Sequence, residues 1–326
     1  MNELKGVNVL VVGGNGFIGS HLCRRLLKEN ANVSTFIKKD KKNIEDIAEK
    51  IDIYKINITD PENVKKEIKE INPGKIFNVA AITSVERSLD AIDGMIDINL
   101  KGNLNIIKAL NKECDCVINV GTIEEYGINK APFHEDKTIP EPVSPYSASK
   151  SSLTMFSKML YNSFKIPIVI LRPSKVYGPN GSVNLSLNQS LITKLIICGL
   201  LKKEFNLSGG NQYRDFMYID DAVEGFIKAS ITKEAIGETI NLGSGKGYII
   251  KDIVKKIIDN LGDININYSE QYRKGENMEF YNSNEKAKRL LNWTPKISID
   301  EGLKMTIEWY KDKYNNGDLK RWIIQD

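Results

Sequence analysis

Histidine and cysteine are both scarce in this chain, and the scarcity excludes several classes of protein at once. Among 326 residues there are two histidines, His21 and His134, and four cysteines, Cys23, Cys114, Cys116 and Cys198. They form no pair of CxxC motifs. A structural zinc site and a disulfide framework are therefore not expected, no metal ligand is assigned, and a reducing, cytoplasmic setting follows. Each cysteine reads as a small buried apolar residue. Long apolar runs are missing as well: nothing approaches the ~20 residues of a membrane helix. Met1-Asn2-Glu3-Leu4-Lys5 passes straight into a strand pattern, without room for a secretory leader. No excess of one charge stands out either. The net charge is +4 and the basic residues are scattered, which gives no case for nucleic acid but suits a small anionic ligand. Internal repeats and low-complexity segments are absent.

What is present is organised around residues 7–22, VNVLVVGGNGFIGSHL. A mostly β-branched apolar run leads into Gly13, Gly14, Asn15 and Gly16, and Ile18, Leu22 and Leu26 then recur at helical spacing. Strand, glycine turn and helix in that order aim backbone N–H groups and the positive helix end at a diphosphate. The glycines at 13, 16 and 19 have the spacing GxxGxxG. Gly13 is expected to permit the tight turn, Gly16 to clear room for the diphosphate, and Gly19 to let helix and strand pack closely.

Further strands are expected over residues 32–37, 51–56, 75–79, 116–120, 167–171 and 238–242, with helical patterns between them. This alternation predicts an α/β fold, a doubly wound parallel Rossmann sheet. Residues 1–172 plus 211–243 are expected to form the dinucleotide-binding domain, and 173–210 plus 244–326 a smaller substrate domain. At the end of the second strand NAD-preferring proteins usually place an acid for the ribose hydroxyls. Here Lys38 and Lys39 stand there, which suits a 2′-phosphate and favours NADP, with NAD the alternative. Ala80 and Ala81, after the fourth strand, leave space for a flat cofactor.

Tyr146 and Lys150 are four residues apart at the start of a helix and share a face. A phenol titrates near ~10 in water, and a neighbouring ammonium is expected to lower it, so the pair can exchange a proton with an alcohol. Thr122 closes the fifth strand nearby. Arg214 is a candidate clamp for a second diphosphate, because a guanidinium matches phosphate oxygens; the structural reading is an ion pair with Asp215.

At this point the chain resembles the extended short-chain dehydrogenase/reductases, the nucleotide-sugar epimerase/dehydratase/4-ketoreductase family, over nearly its whole length. The matching pieces include VVGGNGFIGSHL, NVAAITSVERS, DINLKGNLNII, GTIEEYG, YSASK, LRPSKVYGP, QYRDFMYIDDAV and LNWTPKISIDEGL. The resemblance implies a nicotinamide dinucleotide held by the Rossmann domain and a nucleoside-diphosphate sugar held by the smaller one. It implies Thr122, Tyr146 and Lys150 as the catalytic trio acting at the sugar C4, assisted by Glu124. Beside the glycines, lysines and alanines already named, it places Asn15, Phe17, Ile18, Asn57, Ile58, Asn99 and Pro173 against the cofactor. Ser84, Glu124, Lys175 and Arg214 fall against the substrate. It also implies a homodimer through the helices carrying residues 88–110 and 146–164.

Departures from the family pattern bear on the reaction. A 4,6-dehydratase resembling the dTDP-glucose enzymes reads Thr-Asp-Glu, where this chain has Thr122-Ile123-Glu124. The run GTIEEYG resembles more closely the motif of 4-keto-6-deoxyhexose reductases. Lys175 stands where the family often has an Asn touching the diphosphate, and Asn57 where it often has an Asp near adenine. The expected activity is NADP-dependent reduction of an NDP-4-keto-6-deoxyhexose. A 4,6-dehydratase or C4 epimerase is the alternative, and a non-catalytic dinucleotide-binding regulator a remote one.

Overall fold

The computed structural model describes residues 3–38, 40–84, 87–185, 190–272 and 276–324. Lys39, one of the two lysines expected at the cofactor, lies outside the described residues. Seven strands form the main sheet: β1 (Asn8–Val12), β2 (Asn32–Ile37), β3 (Asp52–Lys55), β4 (Lys75–Asn78), β5 (Cys116–Val120), β6 (Ile168–Pro173) and β7 (Thr239–Leu242). Their spatial order is β7-β6-β5-β4-β1-β2-β3, and every neighbouring pair is parallel. This is the Rossmann arrangement. From β1 the chain winds outward to β3 and then returns to β4, so the crevice opens at the carboxyl ends of β1 and β4.

The core explains why β1 reads as an unbroken apolar run. Successive strand residues point to opposite faces. Val9 and Val11 pack with Leu22 and Leu26 of α1 (Phe17–Lys28), while Leu10 and Val12 pack with Val64, Ile68 and Ile71 of α2 (Pro61–Ile71). Both faces are covered, as a parallel sheet requires. Asp60 caps α2 by accepting from the Asn63 N–H, Pro61 occupies its first position, and Asn72 in the left-handed region ends it.

The helical stretch expected up to about residue 112 is broken. After short turns at Leu89–Ala91 and Ile92–Met95 it becomes a π-helix over Ile96–Gly102, then an α-helix over Asn103–Lys108. A π turn is uncommon and often marks a functional position; here it holds Asn99. The helix α3 (Pro145–Phe164) packs against that π turn. Ser144 and Ser147 cap its start reciprocally. Another helix, α4 (Ile219–Ile231), covers the α1 side of the sheet.

Outside the main sheet, Lys175–Tyr177 pairs in parallel with Phe216–Tyr218, and Tyr213–Arg214 pairs with both Tyr248–Ile249 and Glu279–Phe280. These short pairings bring both Lys175 and Arg214 to the Phe280 ring, at 6.0 and 5.6 Å from its centroid.

Candidate active site

The glycine turn is built by close approach. Gly13 has φ +90°, and a Cβ there would stand 3.0 Å from the Ala80 Cα, so this turn presses directly on the segment leaving β4. A Cβ on Gly19 would lie 2.2 Å from the Gly13 carbonyl oxygen, which is why helix and turn tolerate only glycine there. Gly14, given no role from the sequence, is equally constrained. A side chain would collide with Thr35, whose hydroxyl accepts from the Gly14 N–H at 3.0 Å and donates to the Val11 carbonyl at 2.7 Å.

Gly16 is the N-cap of α1, is exposed, and supplies no side-chain cap. The first N–H groups of the helix, at Phe17 and Ile18, thus meet no capping side chain, a cradle that fits a diphosphate by charge and shape. Phe17 and Ile18 themselves lean on the core. Asn15 donates to the Asp40 carbonyl at 2.7 Å and fastens this turn to the loop after β2, where Lys38 is exposed.

On the far side of that loop Asn57 is exposed, its side chain accepting from the Thr59 N–H at 3.3 Å. Ile58 is buried in the second core against Gly102, so only its backbone faces outward. Ala80 and Ala81 are half-buried just beyond β4. The next residues are fixed by Asn99: its amide accepts from the Ile82 N–H at 2.8 Å and donates to the Ile82 carbonyl at 3.0 Å and to Ser149 at 3.1 Å. One buried side chain therefore joins the loop carrying Ser84 to the helix carrying Tyr146 and Lys150. Pro173 is buried at the end of β6.

Thr122, Tyr146 and Lys150 come together at the end of β5. Thr122 begins a short turn, Ile123–Tyr126; its side chain accepts from the Glu124 N–H at 3.2 Å and lies near enough to the Tyr146 hydroxyl to favour its ionised form. Lys150 is buried and donates to the Val120 carbonyl at 2.8 Å. Here the electrostatics differ from the expectation. Burial pushes the Tyr146 phenol above its ordinary range; the Thr122 hydroxyl opposes this, while Glu124 and Glu125 add to it. Lys150 is itself brought down to about 8, by burial, with Glu125 pulling the other way. Burial, the largest of these effects on Tyr146, therefore favours the neutral phenol in the protein alone.

The two glutamates after Thr122 face different partners. Glu124 accepts from the Lys175 ammonium at 2.9 Å. Burial would raise its carboxyl, yet Lys175, then Arg214 and Arg87, hold it below the usual range. Arg214 pairs with Glu276 and donates to the Asn277 carbonyl at 2.9 Å. The ion pair with Asp215 does not form, since that buried carboxylate accepts instead from Ser244.

Sequence reasoning missed what lies underneath. Glu125 is fully buried, accepting from the Thr122 N–H at 2.9 Å and from Arg172 at 2.7 and 3.0 Å. Arg172 also donates to the Tyr126 hydroxyl at 2.9 Å, which donates to Asn241 at 2.8 Å. The available signal was an arginine closing the otherwise apolar run 168–171, since a buried guanidinium needs a carboxylate.

Among the described residues no group of three or more histidines, cysteines or carboxylates could hold a metal, and no helix is long and apolar enough to cross a membrane.

Comparison with known proteins gives one consistent picture. A model described as the NAD dependent epimerase/dehydratase family matches residues 9–243. A UDP-glucuronate 4-epimerase of Thermodesulfobacterium geofontis is 32% identical, covering 93% of this chain and 96% of that protein. The structure of epimerase Mth375 from Methanothermobacter thermautotrophicus superimposes with a TM-score of 0.90 at 26% identity, over 98% of this chain and 96% of that one. A dTDP-glucose 4,6-dehydratase from Bacillus anthracis, solved in complex with NAD, gives 0.83 at 26% identity over 95% and 98%.

Proposed function

Because the chain belongs to the NAD-dependent epimerase/dehydratase family of extended short-chain dehydrogenases, we propose that it performs redox chemistry at C4 of a nucleoside-diphosphate hexose. Within that class the reading is reduction of an NDP-4-keto-6-deoxyhexose. The observation that carries it is the geometry at the end of β5: Tyr146 is buried near Thr122, Lys150 is buried one helical turn on and donates to the Val120 carbonyl at 2.8 Å, and the residue after Thr122 is the buried, apolar Ile123.

A bound nicotinamide supplies or accepts the hydride. The protein's own part is the proton. Tyr146 donates it to the C4 carbonyl oxygen, Thr122 orients the phenol, and the Lys150 charge stabilises the phenolate left behind. Glu124, Lys175, Ser84 and Arg214 line the side on which the sugar diphosphate would lie.

Dehydration across C5 and C6 would need an acid for the departing hydroxyl. Ile123 is apolar and buried, Glu125 is held by Arg172, and the Tyr126 hydroxyl donates to Asn241 with its phenol pushed up to about 12 by burial. None of the three is placed to serve. Internal C4 epimerisation remains a second reading, favoured by the 32% identical epimerase, because it uses the same trio. Stoichiometry separates the two. Purified protein given NDP-4-keto sugars should consume one reduced cofactor per sugar, and turnover of 4-hydroxy NDP-hexoses without added reductant would overturn the reductase reading.

For the cofactor we propose NADP, with NAD the alternative. Lys38 is exposed at the end of β2, and the nearest carboxylate, Asp40, accepts from the Lys42 N–H at 3.0 Å. We further propose a homodimer. Leu89, Ile92 and Ile96 on one helical stretch, and Met155, Phe156 and Met159 on α3 packed beside it, leave large apolar side chains exposed. Sedimentation as a monomer at micromolar concentration would rule it out.

A further inference from the structure

Glu124 and Lys175 come from distant parts of the chain, the turn after β5 and the short strand 175–177, and meet at 2.9 Å beside Tyr146. The strand that carries Lys175 is anchored: its N–H donates to the Asp215 carbonyl at 3.1 Å, and it pairs with Phe216–Tyr218. Its ammonium also lies 6.0 Å from the Phe280 ring, which limits where the side chain can swing. Lys175 is thus held against Glu124 by the fold rather than by chance contact between two loose surface groups.

A carboxylate at this place faces a chemical temptation. In a 4-keto sugar the C5–H bond is acidic, because the electron pair left behind delocalises into the C4 carbonyl. A free carboxylate next to it can take the C5 proton: the C5–H bond breaks, a C4–C5 enolate forms, and the oxygen gains a proton from Tyr146. Reversal, with the carboxyl proton exchanged for one from solvent, returns that proton to C5 on the same face, and an enolate that leaves the site is protonated on either face. For an enzyme that only reduces C4, this is a loss of stereochemical control.

We propose that Lys175 is a reaction-determining positioning residue: its ammonium engages Glu124 and keeps that carboxylate from acting as a base toward C5 of a bound 4-keto sugar. The proposal rests on the reading of this site as one for NDP-4-keto hexoses. The charges of Arg214 and Arg87 act on the same carboxylate, and all three cations favour its ionised form. Lys175 is the one that hydrogen-bonds it.

The test is deuterium incorporation at C5. Cofactor-loaded protein is incubated in D2O, without added reductant, with UDP-, dTDP-, GDP- and CDP-4-keto-6-deoxyglucose. Binding is measured by calorimetry and C5 exchange by mass spectrometry and NMR. Wild type should bind at least one of the four and exchange C5 no faster than the free sugar. Lys175→Met should accelerate exchange about 100-fold, the lower range of general-base catalysis. Lys175→Arg should stay near wild type, and Lys175→Met/Glu124→Gln should lose the gain. Rapid exchange by wild type, or a Lys175→Met protein that binds the sugar without faster exchange, overturns the proposal. Failure of wild type to bind any of the four overturns the site reading with it.

Discussion

Glu124 and Glu125 are neighbours on one turn, and they end in regions with opposite physics. Glu125 belongs to a floor from which water is excluded: Arg172, Tyr126 and Asn241 satisfy one another there, with the Arg172 guanidinium 4.7 Å over the Tyr126 ring. Glu124 belongs to the mouth, where Lys175 is 39% exposed in its side chain and Arg214 and Glu276 lie close by. The same residue type is fully enclosed in one place and partly exposed, against a partly exposed lysine, in the other. Desolvation makes the difference. A buried charge must keep its partner permanently, whereas a charge near solvent can exchange one partner for a ligand at small cost.

Four measurements would break or sharpen this contrast. The largest effect is expected where floor and mouth meet, at Tyr146. Tyr146→Phe should reduce turnover ~100- to 10,000-fold while cofactor affinity stays nearly unchanged; activity within threefold of wild type would assign the proton to another group.

Next comes the floor itself. Arg172→Met strands Glu125 in a dry site and should destabilise the fold by ~3–5 kcal/mol in urea titration. Lys175→Met at the mouth should change stability by no more than ~1 kcal/mol. Equal losses at the two sites would erase the distinction drawn between them.

A third effect is graded in pH. Burial brings Lys150 down to about 8, so its ammonium is present below that value and lost above it. If the cation stabilises the Tyr146 phenolate, kcat/KM should fall as pH rises through about 8, tenfold per unit for a single group. Lys150→Arg should move that limb upward, since a guanidinium keeps its proton.

The smallest effect belongs to the outer rim. Replacing Lys38 and Lys39 together by Ala should weaken NADP(H) binding about two- to fivefold, as exposed charge pairs contribute ~1 kcal/mol or less. NAD(H) affinity should not move. Tighter binding of NAD(H) than NADP(H) by the unmutated protein, read calorimetrically, would refute the cofactor preference.

Much of this molecule was legible before folding. The order of strands and helices followed from apolar runs separated by turn chemistry, and the glycines at 13 and 19 proved to be places where a Cβ meets backbone. Tyr146 and Lys150 were legible because a helix converts four-residue spacing into adjacency. The break at Ile96–Gly102 was not, since a π turn has the same local apolar pattern as an α-helix and is stabilised by contacts such as Asn99 to Ile82 and Ser149. The partner of Arg214 was misjudged for a related reason. Asp215 sits between two short strands and turns inward to Ser244, while Arg214, at the end of the first, meets Glu276 from a distant segment.

The sequence by itself determined the parallel sheet, the glycine turn and the adjacency of Tyr146 and Lys150 on one helix, because each is encoded within a short window by periodicity or spacing. Only the tertiary structure decided that Glu125 is sealed under Arg172 while Glu124 meets Lys175, and that burial raises the Tyr146 phenol. Those outcomes depend on burial and on charges brought together across 47 to 51 residues of chain, and no local pattern records what water has left behind.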